Sequence, residues 1–231
     1  MKIIKKTIYL IALSVLLFSC KKTGYVKSNG KLTYQYYAGG DYKVSNMIIH
    51  DVDESSFESI NEQYGKDKKS VFFKGYKILR ADPLSFKVLH KTISKDKNYV
   101  FEDTLVVKDA NAKSYVHIKE EFFKDQNHVF LMGTPIPLMD PHTFEIIEYP
   151  YVRDKNHIYC GTVPLMIKDK ASFKVTNAGS LRFYENTQAF TSIDTEYKWM
   201  NKTKTYYPIF YLEDATAKTN TESFKNFKLL K

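Results

Sequence analysis

The tract Asp154-Lys155-Asn156-His157-Ile158-Tyr159 carries the pattern that decides the fold. Related tracts begin at Asp67, Asp96 and Asp125, so the spacing is 29 residues each time. Asp and Asn favour turns because their short side chains bond the nearby backbone. Alternating apolar residues follow each turn, as in a strand with one buried face. The tract therefore predicts a β-hairpin that recurs at a fixed period, which is the signature of a repeat architecture.

Several other positions recur with the same period and define apolar and polar columns. The apolar columns are Val71, Val100, Val129 and Ile158; Phe72, Phe101, Phe130 and Tyr159; Ile78, Val107, Ile136 and Leu165; and Phe86, Tyr115, Phe144 and Phe173. The last of these follows a polar column of Asp82, Asn111, Asp140 and Asp169. Because a stacked repeat must bury the same face in every unit, we expect the apolar columns to form a shared core.

Each unit is predicted to contain about three short strands and one turn of helix. A second turn falls at Gly75, Gly133 or Gly161, and Asp140-Pro141-His142-Thr143-Phe144 has the form of an Asp-capped helical turn. The fold class is therefore mainly all-β. We expect tandem 29-residue β-hairpin repeats stacked as an elongated or solenoid-like array, and the sequence leaves open whether they close into a ring.

The repeat sets the expected domain boundaries. Residues 64–179 hold four in-register repeats, residues 35–63 a degenerate first repeat, and residues 180–231 a degenerate C-terminal repeat and cap. At the C-terminal end, Asn201-Lys202-Thr203, then Tyr206-Tyr207 and then Thr221-Glu222-Ser223-Phe224 indicate a further unit with a short insertion. We expect truncation of Phe144 to destabilise the protein more than truncation of the turn residue Asp125.

The chain resembles the bacterial DKNYY repeat family through Asp96-Lys97-Asn98-Tyr99-Val100-Phe101 and its equivalents. The tracts Asp82-Pro83-Leu84-Ser85-Phe86 and Asp140-Pro141-His142-Thr143-Phe144 are similar to that family's second half-motif. The resemblance covers residues 64–179 well and the flanks loosely. It implies no enzyme activity, cofactor or catalytic residue.

The N-terminus is typical of an exported bacterial lipoprotein. A cationic segment and an apolar run make residues 1–19 a signal peptide, and the run is too short to span a bilayer. Leu17, Ser19 and Cys20 match a lipobox, so Cys20 is the predicted lipid attachment site and residues 20–34 a lipidated tether. The alternative is an ordinary secretory signal with a coincidental cysteine. Several acyl chains on Cys20 would make the membrane a stable partner.

Composition and charge exclude some function classes. Removal of residues 1–19 takes away three lysines and no acid, so the formal charge falls from +9 to +6. The remaining charges are interspersed, which argues against nucleic acid as a partner. Lys21 after Cys20 is not the Asp associated with inner-membrane retention, which favours the outer membrane; the leaflet is open. No intramolecular disulfide is expected, because Cys160 is the only other thiol.

The candidate chemical residues each have a structural alternative that we prefer. The recurring Asp is predicted to be a turn former instead of a calcium ligand, and His128 and His157 share a column without a third zinc ligand. Cys160 is expected to be a half-buried packing residue, because alternation places His157 on the opposite strand face. The candidate exposed aromatic residues for ligand binding are Tyr34, Tyr36, Tyr37, Tyr206 and Tyr207.

These observations predict a non-catalytic binding or interaction module of the bacterial envelope. No catalytic, cofactor-binding or metal-ligating residue and no cofactor is expected, and the partner is a protein or another envelope component. The alternatives are a structural spacer on the membrane and, third, an enzyme of unrecognised type. A contiguous exposed aromatic patch favours binding, and a buried polar cluster in a deep pocket favours the enzyme.

Overall fold

A computed structural model describes residues 23–39, 43–149, 151–178, 180–184, 209–213 and 215–230. The described residues are nearly all β, in small antiparallel sheets that follow one another along the chain. The first sheet has three strands, in the order of the chain: β1 (Gly24–Ser28), β2 (Lys31–Ala38) and β3 (Lys43–Ile48). The mainly all-β fold of repeated hairpins is therefore confirmed.

Four sheets of four strands then recur at the predicted period. The strands are β4 (Glu58–Ser59), β5 (Tyr64–Lys66), β6 (Val71–Phe73), β7 (Tyr76–Lys77), β8 (Lys87–His90), β9 (Ile93–Lys95), β10 (Val100–Glu102), β11 (Leu105–Val106), β12 (Val116–Lys119), β13 (Phe122–Lys124), β14 (Val129–Leu131), β15 (Thr134–Pro135), β16 (Glu145–Glu148), β17 (Tyr151–Arg153), β18 (Ile158–Cys160) and β19 (Val163–Pro164). With the polar-column turn that precedes each sheet, they form the first to fourth units: 53–78, 82–107, 111–136 and 140–165.

A fifth unit is interrupted by an insertion. Its strands are β20 (Lys174–Asn177), β23 (Thr216–Lys218), β24 (Ser223–Lys225) and β25 (Lys228–Leu230). The insertion contains the two-stranded sheet of β21 (Ser180–Tyr184) and β22 (Ile209–Glu213). In this register Thr219, Asn220 and Thr221 take the place of the Asp-Lys-Asn turn. Asn201-Lys202-Thr203 lies outside the described residues.

Each unit has four strands where three were predicted. The segment expected to enter the hairpin as one strand is divided by a tight turn, at Lys91-Thr92 in the second unit and Glu120-Glu121 in the third. Lys91 and Glu120 have φ angles of 43° and 50°, in the left-handed region that favours Gly or Asn. Neither residue type is a usual turn signal, so this turn could not be predicted from the sequence.

Most of the segment predicted as a tether, residues 20–34, is folded into strands. Strand β1 begins at Gly24, and Leu32, Thr33 and Tyr34 of β2 are buried. The sheet of β1, β2 and β3 corresponds in hydrogen bonding to the last three strands of a unit: the Ile49 N–H donates to the Leu32 carbonyl, as the Ile78 N–H donates to the Val71 carbonyl. This sheet therefore covers the N-terminal end of the array.

The sheets pack on one another, and both faces of their central strands are buried. In β6, Phe72 packs towards the first sheet with Leu32, whereas Val71 and Phe73 pack towards the second unit with Phe101. Alternation of side chains along a strand produces this division. Five such core clusters lie one after another along the array. The predicted apolar columns therefore do form the core, as separate layers between adjacent units.

The column that includes Phe144 is less uniform than its recurrence predicted. Tyr115 and Phe86 are buried, but Phe144 and Phe173 are only partly buried. The preceding helical turn is minor: it is a single turn in the first four units and a three-residue 3-10 helix, Lys170–Ser172, in the fifth. Phe144 is partly buried, whereas the side chain of Asp125 is enclosed, so the structure favours the opposite order of their contributions to stability.

Candidate functional site

A cleft lined by tyrosines lies at the N-terminal end of the array. Its volume is about 540 Å³, within the range of small-ligand sites. The residues that line it are Thr23, Tyr34, Tyr36, Tyr37, Met47, Glu62, Gln63, Lys74 and Tyr76. Three of the five predicted exposed aromatic residues thus lie together here. Tyr34 differs from the prediction because it is buried and forms part of the cleft floor.

One wall of the cleft is the free end of the β2–β3 hairpin. Strand β2 continues past the last residue that pairs with β1, which is Gln35 opposite Gly24. Tyr36 and Tyr37 lie on this extension, paired only with β3, and they are 40% and 44% exposed. Among the described residues no third strand pairs with this part of the hairpin, which leaves the two rings accessible.

The opposite wall is the tight turn of the first unit that joins β6 to β7. Gly75 has a φ of +82°, and a Cβ there would lie 2.5 Å from Met47 Cε and 2.9 Å from Tyr34 Cβ. Only glycine fits this conformation and this close approach. The turn brings Lys74 and Tyr76, which is 63% exposed, against the first sheet.

The hydroxyl of the partly buried Tyr25 links the two walls. Tyr25 Oη lies 3.0 Å from the Gln63 carbonyl and 3.1 Å from the Phe72 carbonyl, and it accepts a 3.3 Å hydrogen bond from the Gly75 N–H. Burial raises the pKa of Tyr25 well above its usual value, so the hydroxyl keeps its proton and can donate. Strand β1 is thereby tied to the turn that carries Lys74 and Tyr76.

The polar groups of the cleft have both signs of charge. Burial, and to a smaller extent the nearby Glu62 carboxylate, raises the pKa of the Tyr34 hydroxyl. Lys74 Nζ lies 5.0 Å from the centroid of the Phe73 ring, which is within cation–π range. The lining contains no serine, cysteine or histidine. Exposed rings with one ammonium, one carboxylate and one amide are suited to binding a ligand by stacking and hydrogen bonding.

The recurring turn Asp is fully occupied as a hydrogen-bond acceptor. Asp96 Oδ1 accepts from the N–H groups of Asn98 and Tyr99, and Oδ2 accepts from the N–H of Asp82. Lys97 Nζ lies 3.0 Å from Asp82 Oδ2. The Ser85 hydroxyl and the Lys97 ammonium hold the pKa of Asp82 below its usual value. Both carboxylates of the unit are therefore engaged within the protein, as the turn-former interpretation predicts.

His128 and His157 occupy equivalent positions on the hairpin surface. Each Nδ1 lies 3.7 Å from Oδ1 of the turn Asp of its own unit. The His128 ring packs edge-on against Phe130 and the His157 ring against Tyr159, with ring centroids 5.8 Å and 6.0 Å apart. Within the described ranges, no group of three or more His, Cys, Asp or Glu side chains is placed to hold a metal ion.

Cys160 is more deeply buried than predicted. It lies on β18 with no exposed surface, in the core layer between the fourth and fifth units with Tyr151, Ile158 and Val163. It occupies the column of Phe73, Glu102 and Leu131, as expected. Cys160 is therefore a packing residue as predicted, but it is fully buried and not half-buried.

Three predicted residues lie outside the described part of the chain: Cys20, Tyr206 and Tyr207. Over the residues that are described, no helix has the length and apolar character to cross a bilayer. Sequence reasoning missed Glu62, Gln63, Lys74 and Tyr76, because they reach the cleft from the neighbouring unit. The one available signal is Tyr76, the only aromatic residue in a column that continues with Leu105, Thr134 and Val163.

Comparison with known proteins gives one match. The sequence model of the DKNYY family covers residues 18–162, which is more than half of the chain. The matched range includes the first sheet, the cleft and most of the first four units. No curated protein and no solved structure matches the chain.

Proposed function

This chain belongs to the DKNYY family, and from that premise we propose that it is a lipid-anchored envelope protein that acts as a non-catalytic binding module. The membrane attachment is through Cys20, and the outer membrane is the proposed location. We propose a protein or another envelope component as the ligand or partner, and not a nucleic acid. The tyrosine cleft is the proposed binding site.

The single observation that carries this proposal is the cleft itself. Tyr36 and Tyr37 on one wall and Tyr76 on the opposite wall present exposed ring surface to one concavity, on a sheet and a turn held by the Tyr25 hydroxyl. Large rings lose little conformational freedom on binding, because they have few rotatable bonds and are fixed here by strands. A solvent-exposed group of aromatic residues around a concave site is unusual unless it serves binding.

The position of the cleft along the chain agrees with a membrane-facing role. Thr23 lines the cleft and is three residues after Cys20. Three residues span at most about 10 Å, so a lipidated Cys20 would hold the cleft near the bilayer surface. A ligand embedded in or bound to the membrane would then meet the cleft without crossing the array.

A structural spacer is the second candidate, supported by the layered packing of the units. The two functions respond differently to changes. A spacer depends on length, so deletion of exactly one unit, residues 82–110, should impair it and leave cleft residues intact. A binding module depends on the cleft, so Tyr36→Ala with Tyr37→Ala should impair it at unchanged length.

The direct test is site-specific photocrosslinking in the intact cell. A photoreactive phenylalanine analogue replaces Tyr36 in the cleft or, as a matched control, Leu84, which is 90% exposed in the second unit. We expect one discrete adduct from position 36, none from position 84, and loss of the adduct when Tyr37→Ala and Tyr76→Ala are added. Adducts of equal yield from both positions, or none from position 36, would refute the cleft as the binding site.

A further inference from the structure

The tyrosine cleft continues past Tyr76 into a gap between the first and second units. The gap has a volume of about 530 Å³, against about 540 Å³ for the cleft. Lys74 and Tyr76 line both spaces, and Asp103 and Thr104 of the second unit form the far side of the gap. Because Tyr76 is 63% exposed, its ring is accessible to a molecule that occupies both spaces. The cleft and the gap therefore form one continuous groove.

The turn on the far side of the gap lacks the hydrogen bond that holds its counterpart in the first unit. Tyr25 Oη accepts a hydrogen bond from the Gly75 N–H, which ties that turn to the first sheet. Tyr64 is the equivalent of Tyr25 one unit later, since the two residues pair with equivalent positions of the next strand. Its hydroxyl is buried, and within the described chain it makes no bond to the turn at residues 103–104.

The next interface along the array shows the closed arrangement. Glu102 occupies the column of Phe73 there, and its carboxylate accepts a hydrogen bond from the Gly133 N–H. Tyr115 Oη donates to the Met132 carbonyl of the same turn at 3.2 Å. The open gap is therefore a feature of the interface beside the cleft, and does not follow from the repeat alone.

The charged groups along the groove are balanced. Glu62 and Lys74 lie in the cleft, and Asp103 and Lys77 lie at the gap. Partial desolvation raises the pKa of the Asp103 carboxyl, and the Lys74 ammonium opposes the shift, so these two groups face the same space. Two ammonium groups and two carboxylates favour a ligand without net charge, because a strongly charged chain would meet as many like charges as opposite ones.

The lining of the groove matches the two sides of a sugar ring. A pyranose has an apolar C–H face, which stacks on an aromatic ring, and a rim of hydroxyls that both donate and accept. The exposed tyrosines supply the rings, and the Gln63 amide and the Thr104 hydroxyl can both donate and accept. An extended peptide needs apolar pockets for its side chains. Besides the tyrosines, the apolar lining residues are Met47 and Phe73, and Phe73 is buried.

We propose that the groove binds an extended, linear oligosaccharide without net charge. One part of the chain lies on the cleft tyrosines, and the next part crosses Tyr76 to reach Asp103 and Thr104. This inference names the ligand class of the binding site and rests on the function proposed for the cleft. Since a single sugar fills only one part of the groove, affinity rises with chain length until both parts are occupied.

The first test uses the purified mature chain, residues 21–231, without its acyl groups. The probes are β-1,4-linked oligomers of glucose and of N-acetylglucosamine, from the monosaccharide to the hexasaccharide, because this linkage gives an extended chain. We expect calorimetric titration to show saturable binding of at least one series, with affinity that increases with length. Absence of binding by both series, or an affinity that does not depend on length, overturns the proposal.

Variants in the gap separate the second part of the groove from the cleft. Asp103→Ala combined with Thr104→Ala should weaken binding of the longest oligomer about tenfold and leave that of the shortest unchanged. Asp109→Ala is the matched control, because it removes another exposed Asp of the second unit, also at positive φ, that does not line the groove. Equal effects of the gap variant and the control on the longest oligomer overturn the proposal.

The adduct captured in the intact cell identifies the class of the natural ligand. We expect the photoreactive analogue at position 36 to capture a molecule that contains sugar and is degraded by periodate, and the analogue at position 104 to capture the same molecule. A sugar-free adduct from position 36 overturns the oligosaccharide and leaves the cleft as a binding site, whereas no adduct from position 36 refutes the cleft itself. A sugar adduct from position 36 without one from position 104 overturns the extension past Tyr76.

Discussion

Asp125 Oδ2 accepts a 2.8 Å hydrogen bond from the backbone N–H of Asn111, 14 residues earlier in the same unit. The other oxygen accepts from the N–H groups of Asn127 and His128, at 2.8 Å and 2.7 Å. One buried carboxylate therefore closes the hairpin turn and also fixes it to the turn that opens the unit. The same arrangement recurs at Asp67, Asp96 and Asp154.

Removal of this carboxylate should be the most damaging single change in a turn. Asp125→Ala leaves three N–H groups without their partner, and we expect a loss of about 3 kcal/mol in unfolding free energy. Phe144→Ala should cost less than the roughly 3–5 kcal/mol of a fully buried Phe, because that ring is only partly buried. Urea unfolding of both variants checks the order. An Asp125→Ala variant as stable as the parent would show that the hydrogen bonds of this carboxylate do not stabilise the unit.

Much of the architecture could be predicted because the period and the local turn chemistry are explicit in the sequence. The Asp-Lys-Asn turns, the glycine turns and the apolar columns are local signals, and the structure has them where expected. The hydrogen bond from the Asn111 N–H to the Asp125 carboxylate could not be predicted. The local sequence pattern indicates a turn at Asp125, but it carries no information about a partner 14 residues away. The strand break at Lys91 was hidden because a non-glycine residue adopts positive φ there.

Only one wall of the cleft could be predicted from the sequence, because the other wall comes from a different sheet. Tyr36 and Tyr37 stand out as surplus aromatic residues next to a strand. Glu62, Lys74 and Tyr76 belong to another sheet, and only packing brings them to the same concavity. Sequence reasoning therefore named the aromatic wall and missed the polar residues opposite it.

Gly75 is predicted to be essential for the shape of the cleft. In Gly75→Ala the added Cβ meets Met47 Cε and Tyr34 Cβ at under 3.0 Å, in addition to the strain of a positive φ. We expect a loss of roughly 2–4 kcal/mol in unfolding free energy. Gly30→Ala is the matched control, since its φ is +76° with nothing within 4 Å, and should cost about 1 kcal/mol. Equal losses for the two variants would show that the turn is not closely packed.

Lipidation of Cys20 is tested by the mass of the mature protein. If the signal is cut before Cys20, the N-terminal peptide should carry acyl chains and the protein should fractionate with membranes. Cys20→Ala should lose both properties and leave the fold of residues 23–230 unchanged. Mass spectrometry of a membrane fraction settles the question, and an unmodified Cys20 peptide from mature protein would rule lipidation out.

Cys160 should be chemically silent in the folded protein. Its side chain has no exposed surface, so a thiol reagent should label it only after unfolding in urea. Cys160→Val, which keeps a small apolar side chain, should cost less than about 1.5 kcal/mol and leave ligand binding intact. Rapid labelling under native conditions would mean that the layer between the fourth and fifth units opens readily.

The last prediction concerns Glu102, the only acidic residue in the column of Phe73, Leu131 and Cys160. Burial raises the pKa of its carboxyl above its usual value, although the Gly133 N–H, which bonds the charged form, opposes the shift. The folded state therefore holds this proton to higher pH than the unfolded state does. Because the pKa of this acid is higher in the folded protein than in the unfolded chain, the free energy of unfolding falls as the pH rises from the unfolded-state pKa to the folded-state pKa.

Glu102→Gln removes the charge and keeps an acceptor for the Gly133 N–H. We expect the variant to be more stable than the parent at pH 7 and the difference to shrink at pH 4, because the folded parent takes up a proton on Glu102 more readily than its unfolded chain does. Urea unfolding of both proteins at the two pH values measures this difference. If Glu102→Gln is destabilising at pH 7, the Gly133 hydrogen bond to the carboxylate outweighs its burial, and the acidic residue is retained for that bond.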